Sequence, residues 1–178
     1  MSVTLDVAAR VAAAIRDVPD FPRPGINFKD ITPVLLDAGL FREATEAMAA
    51  PFAGDRISHV VAIESRGFIL GAPVAQSLGA AFVPFRKPGK LPHIVERIEY
   101  ELEYGVDALE CHRDALGGGQ RVLVVDDVLA TGGTAAAACG LVEGLGDLVV
   151  GCSFLVELSF LEGRRKLGAR RVEHLVRF

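Results

Sequence analysis

With 178 residues, half of them hydrophobic and 24% charged, the chain has the composition of a soluble globular protein and enough apolar surface to bury a continuous core without metal or disulfide staples. A formal net charge of −4 lacks the general basic footprint that binding to nucleic acid or to an anionic membrane surface requires. Cys111, Cys139 and Cys152 are widely spaced and form no CxxC, which fits neither a disulfide framework nor a zinc site and predicts a reducing, cytoplasmic setting.

Near the start, Asp6, Arg10 and the short apolar run VAAAI make neither a basic n-region nor a long h-region, and no apolar stretch of 18 residues follows, so neither export nor a membrane span is predicted. Val7, Val11 and Ile15 share one helical face over residues 4–17, and VPDFPRPG stops that helix with three prolines and a glycine. Residues 18–36 read as a long extended loop. Asp37 is placed to cap a helix running to about Phe52, after which SHVVAIE (58–64) is a short β-branched run, the mark of a buried strand. A helix from about Phe68 to Leu78, ended by Gly79, leads into AAFVPF (80–85) and completes a β-α-β unit.

The same grammar repeats with RVLVVDD (121–127) as strand, Thr134 to about Leu145 as helix and DLVVGCSFLVE (147–157) as strand. Four or more parallel strands joined by helices predict an α/β sheet covered on both faces. In RIEYELEY (97–104), Ile98, Tyr100, Leu102 and Tyr104 alternate with charged residues, the period of a partly exposed antiparallel strand. The basic stretch before it, RKPGKLPHIVE (86–96), reads as a mobile loop. No internal repeat is visible, and residues 1–178 read as a single domain.

Chemistry concentrates where strand 121–127 ends. In an open parallel sheet, ligands sit outside the carboxyl ends of the strands. Asp126 and Asp127 fall there, and successive strand side chains point to opposite faces, so both acids can line one pocket only if the strand stops and the backbone turns. Ala130, Thr131, Gly132, Gly133 and Thr134 supply a turn: the glycines permit positive φ, the threonines offer hydroxyls, and a helix starting at Thr134 aims free N–H groups outward, a nest for phosphate. A Gly-Gly-Thr on its own reads first as a βα turn with a capping threonine. Beside two carboxylates, however, a phosphate is tolerated only if the acids bind another part of the same ligand, and a ribose diol next to a phosphate meets that condition.

The thirteen residues from Val122 to Thr134 resemble the phosphoribosyl pyrophosphate loop of the type I phosphoribosyltransferases. FPRPGINFKDITPVL (21–35), IESRGFILGAPVA (63–75) and ELEYG (101–105) are similar to the adenine-using branch of that family, and the resemblance covers nearly the whole chain. It implies a central, mostly parallel sheet flanked by helices, with a small N-terminal hood (1–36), a core sheet (58–178) and a flexible antiparallel loop and strand region at about 86–104. It also implies transfer of the 5-phosphoribosyl group of phosphoribosyl pyrophosphate to N9 of adenine, giving AMP and pyrophosphate.

The resemblance further assigns roles. Asp126 and Asp127 hold ribose hydroxyls and residues 130–134 the 5′-phosphate. Phe28 stacks on the purine, with Asn27, Lys29, Val128 and Leu158 completing the base site and main-chain groups reading the edge of the ring. Asn27 stands where the family often has an aliphatic residue. Ser65 and Arg66, in the loop Glu64 to Gly67, grip pyrophosphate, where an arginine unmatched to any family would read as solvated or carboxylate-paired. Arg86, Lys87 and Lys90 meet pyrophosphate across a homodimer interface, and Glu103 is general acid and base on purine N7. Mg²⁺ is required and is held by the sugar donor and water rather than by protein ligands. Adenine and phosphoribosyl pyrophosphate are the partners, without nucleic acid or membrane. Two alternatives stay open at this level: the same transfer to another purine, and a non-catalytic regulator that senses the sugar donor.

Overall fold

Residues 2–102 and 105–178 are described in a computed structural model. Helix α1 (Ser2–Ala14) precedes an antiparallel pair, β1 (Arg16–Val18) and β2 (Phe28–Asp30), joined in register from Arg16 opposite Asp30 to Val18 opposite Phe28. Two helices follow, α2 (Thr32–Leu36) and α3 (Ala38–Ala49), the second extended by a 3₁₀ turn at Ala50–Phe52. Asp37 caps α3 as its sequence position suggests, its Oδ1 accepting from the N–H groups of Gly39 and Leu40 at 3.0 Å.

The core is built from β3 (His59–Ile63), α4 (Arg66–Leu78), β4 (Ala81–Phe85), β7 (Arg121–Leu129), α5 (Gly133–Gly144), β8 (Leu148–Glu157) and β9 (Val172–Arg177). Between β4 and β7 lie β5 (Val95–Leu102) and β6 (Gly105–His112), and the short helix α6 (Arg164–Leu167) precedes β9. The five core strands form one parallel sheet in the order β4-β3-β7-β8-β9. Both faces are covered, which is why the strands are apolar almost without interruption. Along β7 the period of two sorts the side chains: Val122 and Val124 join the core under α5, while Leu123 and Val125 join the one under α1, α3 and α4.

Several sequence expectations change. The extended loop at 18–36 holds a strand and a helix, because Pro33 sits in the first turn of α2, where its missing N–H costs nothing. The alternating segment is an antiparallel strand, as expected, but begins at Val95 and pairs with β6 from Val95 opposite His112 to Leu102 opposite Gly105. A fifth core strand, β9, lies beyond the strands read from sequence. Among the described residues, no helix is long and apolar enough to cross a membrane.

Candidate functional site

A cavity of about 680 Å³ opens at the carboxyl ends of β3 and β7 and reaches β2. Its position follows from strand register. The pairing of β3 with β7 ends at Ala62 opposite Val125, whereas β7 continues along β8 as far as Leu129. The expectation that the strand stops at Asp127 is therefore corrected. Beyond Val125, β7 has lost its β3 neighbour, and the space left on that side admits both acids without a turn between them: Asp126 and Asp127 each line the cavity.

Asp126 is half-buried and Asp127 is 5% exposed. The Asp127 N–H donates to Asp126 Oδ1 at 2.9 Å. Burial, reinforced by the adjacent Asp127 charge, holds the Asp126 carboxyl well above the ordinary carboxylate range, and Arg66 offsets part of that. Arg66, first residue of α4, places Nε 2.7 Å from Asp127 Oδ2. The contact lacks hydrogen-bond alignment, so that buried oxygen has no hydrogen-bond partner. Arg66 thus takes the carboxylate-paired geometry here, with its guanidinium 5.1 Å from the Phe28 ring centre. Ser65 precedes it at the helix start, lines the cavity and makes no side-chain cap.

A second cavity of about 90 Å³ adjoins the first, and Asp126, Val128, Ala130 and Thr134 line both. Leu129, Thr131, Gly132, Gly133 and Ala135 complete it. Gly132 takes φ +77° at the N-cap of α5, so the turn uses positive φ at one glycine rather than two. No side chain caps this helix. The Thr134 hydroxyl donates to Tyr100 Oη at 3.3 Å instead, which removes the capping-threonine reading and leaves first-turn N–H groups for an anion.

Asn27, Phe28, Lys29, Val128 and Leu158 all line the larger cavity. Phe28 sits edge-on to Phe21 at 5.2 Å between ring centres. Val128 and Leu158 form apolar wall. Asn27 donates from Nδ2 to Asp17 Oδ1 at 3.2 Å, and Lys29 reaches the same oxygen at 2.5 Å while lying 4.0 Å over the Phe178 ring. What these two residues can offer a ligand is therefore main chain.

The basic trio is only partly gathered. Lys87 lines the larger cavity, donating to Tyr100 Oη at 3.0 Å and bonding Asp107. Arg86 and Lys90 turn to Glu64 instead: Arg86 Nε donates to Oε2 at 3.3 Å, Lys87 N donates to the same oxygen at 3.0 Å, and Lys90 bonds Oε1. Burial pushes the Glu64 carboxyl up, but Lys90, the Lys87 amide and Arg86 together hold it below its usual value. Glu103 lies outside the described residues.

Sequence reasoning missed the apolar lining from Ile26, Ile63 and Leu161, each indistinguishable in sequence from a core residue. It also missed Gly163. A Cβ on Gly132 would lie 2.2 Å from Gly163 O, and a Cβ on Gly163 would lie 2.1 Å from Ala130 O, so two backbones interlock behind the turn.

The profile of the phosphoribosyl transferase domain matches residues 38–172. The adenine phosphoribosyltransferase of Myxococcus xanthus is 59% identical over 174 residues, covering 97% of this chain and 94% of that protein. That of Methylococcus capsulatus is 55% identical over 169 residues, covering 95% and 99%. Among solved structures, adenine phosphoribosyltransferase from Thermoanaerobacter pseudethanolicus is similar with a TM-score of 0.93 at 51% identity, covering 96% of this chain and 99% of that one. The Saccharomyces cerevisiae enzyme, complexed with an imino-altritol bisphosphate and adenine, is similar with a TM-score of 0.90 at 40% identity, covering 96% and 98%.

Proposed function

The chain belongs to the phosphoribosyl transferase family, on its adenine phosphoribosyltransferase branch, and we propose how its site moves the 5-phosphoribosyl group from phosphoribosyl pyrophosphate to N9 of adenine, giving AMP and pyrophosphate. One observation supports the division of roles most directly: the acid pair and the uncapped helix turn face two adjoining cavities that share four lining residues. Ribose hydroxyls are taken by Asp126 and Asp127, and the 5′-phosphate by residues 130–134, whose N–H groups and helix end favour an anion. The purine lies against Phe28 and the Val128 and Leu158 wall, with its edge read by the main chain at Asn27 and Lys29.

Displacement at the anomeric carbon develops positive charge on the sugar and negative charge on the leaving group, so the protein has to hold both partners in line and stabilise departing pyrophosphate. Arg66 and Ser65 meet that pyrophosphate, Arg66 exchanging Asp127 for a ligand whose oxygens match its fork. Arg86, Lys87 and Lys90 serve it across a homodimer interface, leaving Glu64 and Asp107 as they do so. Glu103 takes the N7 proton as N9 attacks, a role worth about 10² to 10⁴ in rate.

Magnesium suits the donor set. Among the described residues no group of three or more His, Cys, Asp and Glu side chains could hold a metal, whereas Asp126 and Asp127 present hard oxygens, one of them buried without a hydrogen-bond partner. The ion would be carried chiefly by the sugar donor's oxygens and water, with these two carboxylates beside it. When bound it neutralises charge on the leaving pyrophosphate. The three cysteines are free and buried, which supports a reducing, cytoplasmic setting.

The test is to mix the protein with adenine, phosphoribosyl pyrophosphate and Mg²⁺ and quantify AMP by chromatography, with hypoxanthine and guanine as competitors. AMP forming at a rate unaffected by the other purines is expected. No AMP above the protein-free blank, or equal turnover of hypoxanthine, would overturn the assignment.

A further inference from the structure

Glu157 ends β8 with its side chain buried, yet it lines neither cavity. Both its oxygens accept from Arg164 Nε, at 2.8 and 2.9 Å. Arg164 also donates from Nη1 to Val172 O at 3.0 Å, and its Nη2 lies 2.8 Å from His174 Nδ1, which is itself 2.8 Å from Glu157 Oε2. Burial raises the Glu157 pKa, but Arg164, with His174 and Arg177, more than reverses this, and the group is a carboxylate with a pKa below its usual value.

The segment between these partners carries three site residues. Leu158 and Leu161 line the larger cavity, and Gly163 is the backbone wedge behind Ala130 and Gly132. The front of the segment is pinned by main chain: Leu158 N donates to Leu129 O at 2.9 Å, and Ser159 N to Phe178 O at 2.8 Å. Its far end is fixed by Arg164, the residue next to the wedge. Any shift of Arg164 is passed to Gly163, and from there to the turn, because contacts of this closeness leave no slack.

We propose that Glu157 and Arg164 are positioning residues for the phosphate turn: their bond closes the 158–163 loop, sets how deeply Gly163 seats against residues 130–132, and so aims the N–H groups at the start of α5. This rests on the reading above, in which that turn holds the 5′-phosphate. Neither side chain meets the ligand. The Glu157 side chain is 5% exposed and that of Arg164 43% exposed, so the pair tethers a surface side chain to a buried carboxylate that would otherwise be short of a partner.

Glu157→Gln keeps the shape and removes the charge, while Arg164→Lys keeps the charge and loses the fork. Affinities for AMP and for pyrophosphate with Mg²⁺ are measured by calorimetry on wild type and both variants, together with KM for the sugar donor and kcat. AMP places a phosphate in the turn, whereas pyrophosphate binds at Arg66 and does not test it. Glu157→Gln is expected to weaken AMP and raise KM for the sugar donor about tenfold, with Arg164→Lys intermediate, while pyrophosphate affinity stays within about twofold and kcat within about threefold. AMP affinity unchanged in a folded variant, or AMP and pyrophosphate weakening in parallel, would overturn the proposal. If Glu157→Gln does not fold, Arg164→Lys alone decides on the same two affinities. A wild-type protein that neither makes nor binds AMP would instead sink the functional reading beneath it.

Discussion

Arg66 Nε stands 2.7 Å from Asp127 Oδ2, so the cation assigned to the leaving group and the carboxylate assigned to the sugar balance each other before any ligand enters. Entry of the sugar donor gives each a new partner. Arg66→Gln is expected to lower kcat/KM at least about 10²-fold, since it removes a donor aimed at charge that develops in the transition state. The Arg66 side chain is 42% exposed, so water screens the loss and the melting temperature should fall by only roughly 2–4 °C. Steady-state kinetics beside thermal melts check both numbers, and a kinetic loss under tenfold would detach Arg66 from pyrophosphate.

Asp126 should be a residue whose charge costs stability. Its folded pKa is raised by burial and by Asp127, so the folded state holds its proton at a pH where the unfolded chain, at about 3.9, has released it. The penalty is absent below the unfolded value, grows as pH rises towards the folded value and is complete above it. Asp126→Asn, which can still accept from the Asp127 N–H, is therefore expected to melt roughly 2–4 °C higher near neutral pH. The gain should shrink towards pH 4 while AMP formation falls at least about 10²-fold through loss of the ribose contact. Melts across a pH series check this; a gain that grows on acidification would contradict it.

Glu103→Gln should lower kcat by about 10² to 10⁴ and leave affinity for phosphoribosyl pyrophosphate unchanged, because a general base acts only once the base attacks. Single-turnover rates and direct binding separate the two effects. Unchanged kcat would remove Glu103 from the chemistry.

Gly163 has φ −56°, a conformation alanine adopts freely, so Gly163→Ala probes close approach alone. The added Cβ would meet Ala130 O at 2.1 Å, and backbone has to move. A cost of about 1–3 kcal/mol in stability is expected from overpacking, together with at least about tenfold weaker AMP binding. Denaturant melts and calorimetry measure each, and a variant with native AMP affinity would show the turn tolerant of displacement.

What the sequence revealed follows from how locally each feature is encoded. β3, β7 and β8 are near-continuous apolar runs, the Asp37 cap is a side chain acting on its own helix, and the acids with the following turn occupy nine consecutive residues, 126–134. β9 was not legible, because Glu173 and His174 interrupt its apolar residues and it becomes a strand through pairing with β8. The continuation of β7 past two acids is likewise a product of its β8 partner. Glu64 gathers Arg86 and Lys90 from 22 and 26 residues away, and Gly163 meets the backbone at Gly132 from another loop. No local pattern marks such meetings.

A crystal structure of the protein with AMP bound decides most directly whether the sugar and the phosphate divide the site as proposed. Ribose hydroxyls against the Asp126 and Asp127 carboxylates, and phosphate oxygens accepting from N–H groups of residues 131–135 at about 2.7–3.2 Å, are the expected result. AMP bound elsewhere, or bound with its phosphate at Arg66 and the turn empty, would contradict it.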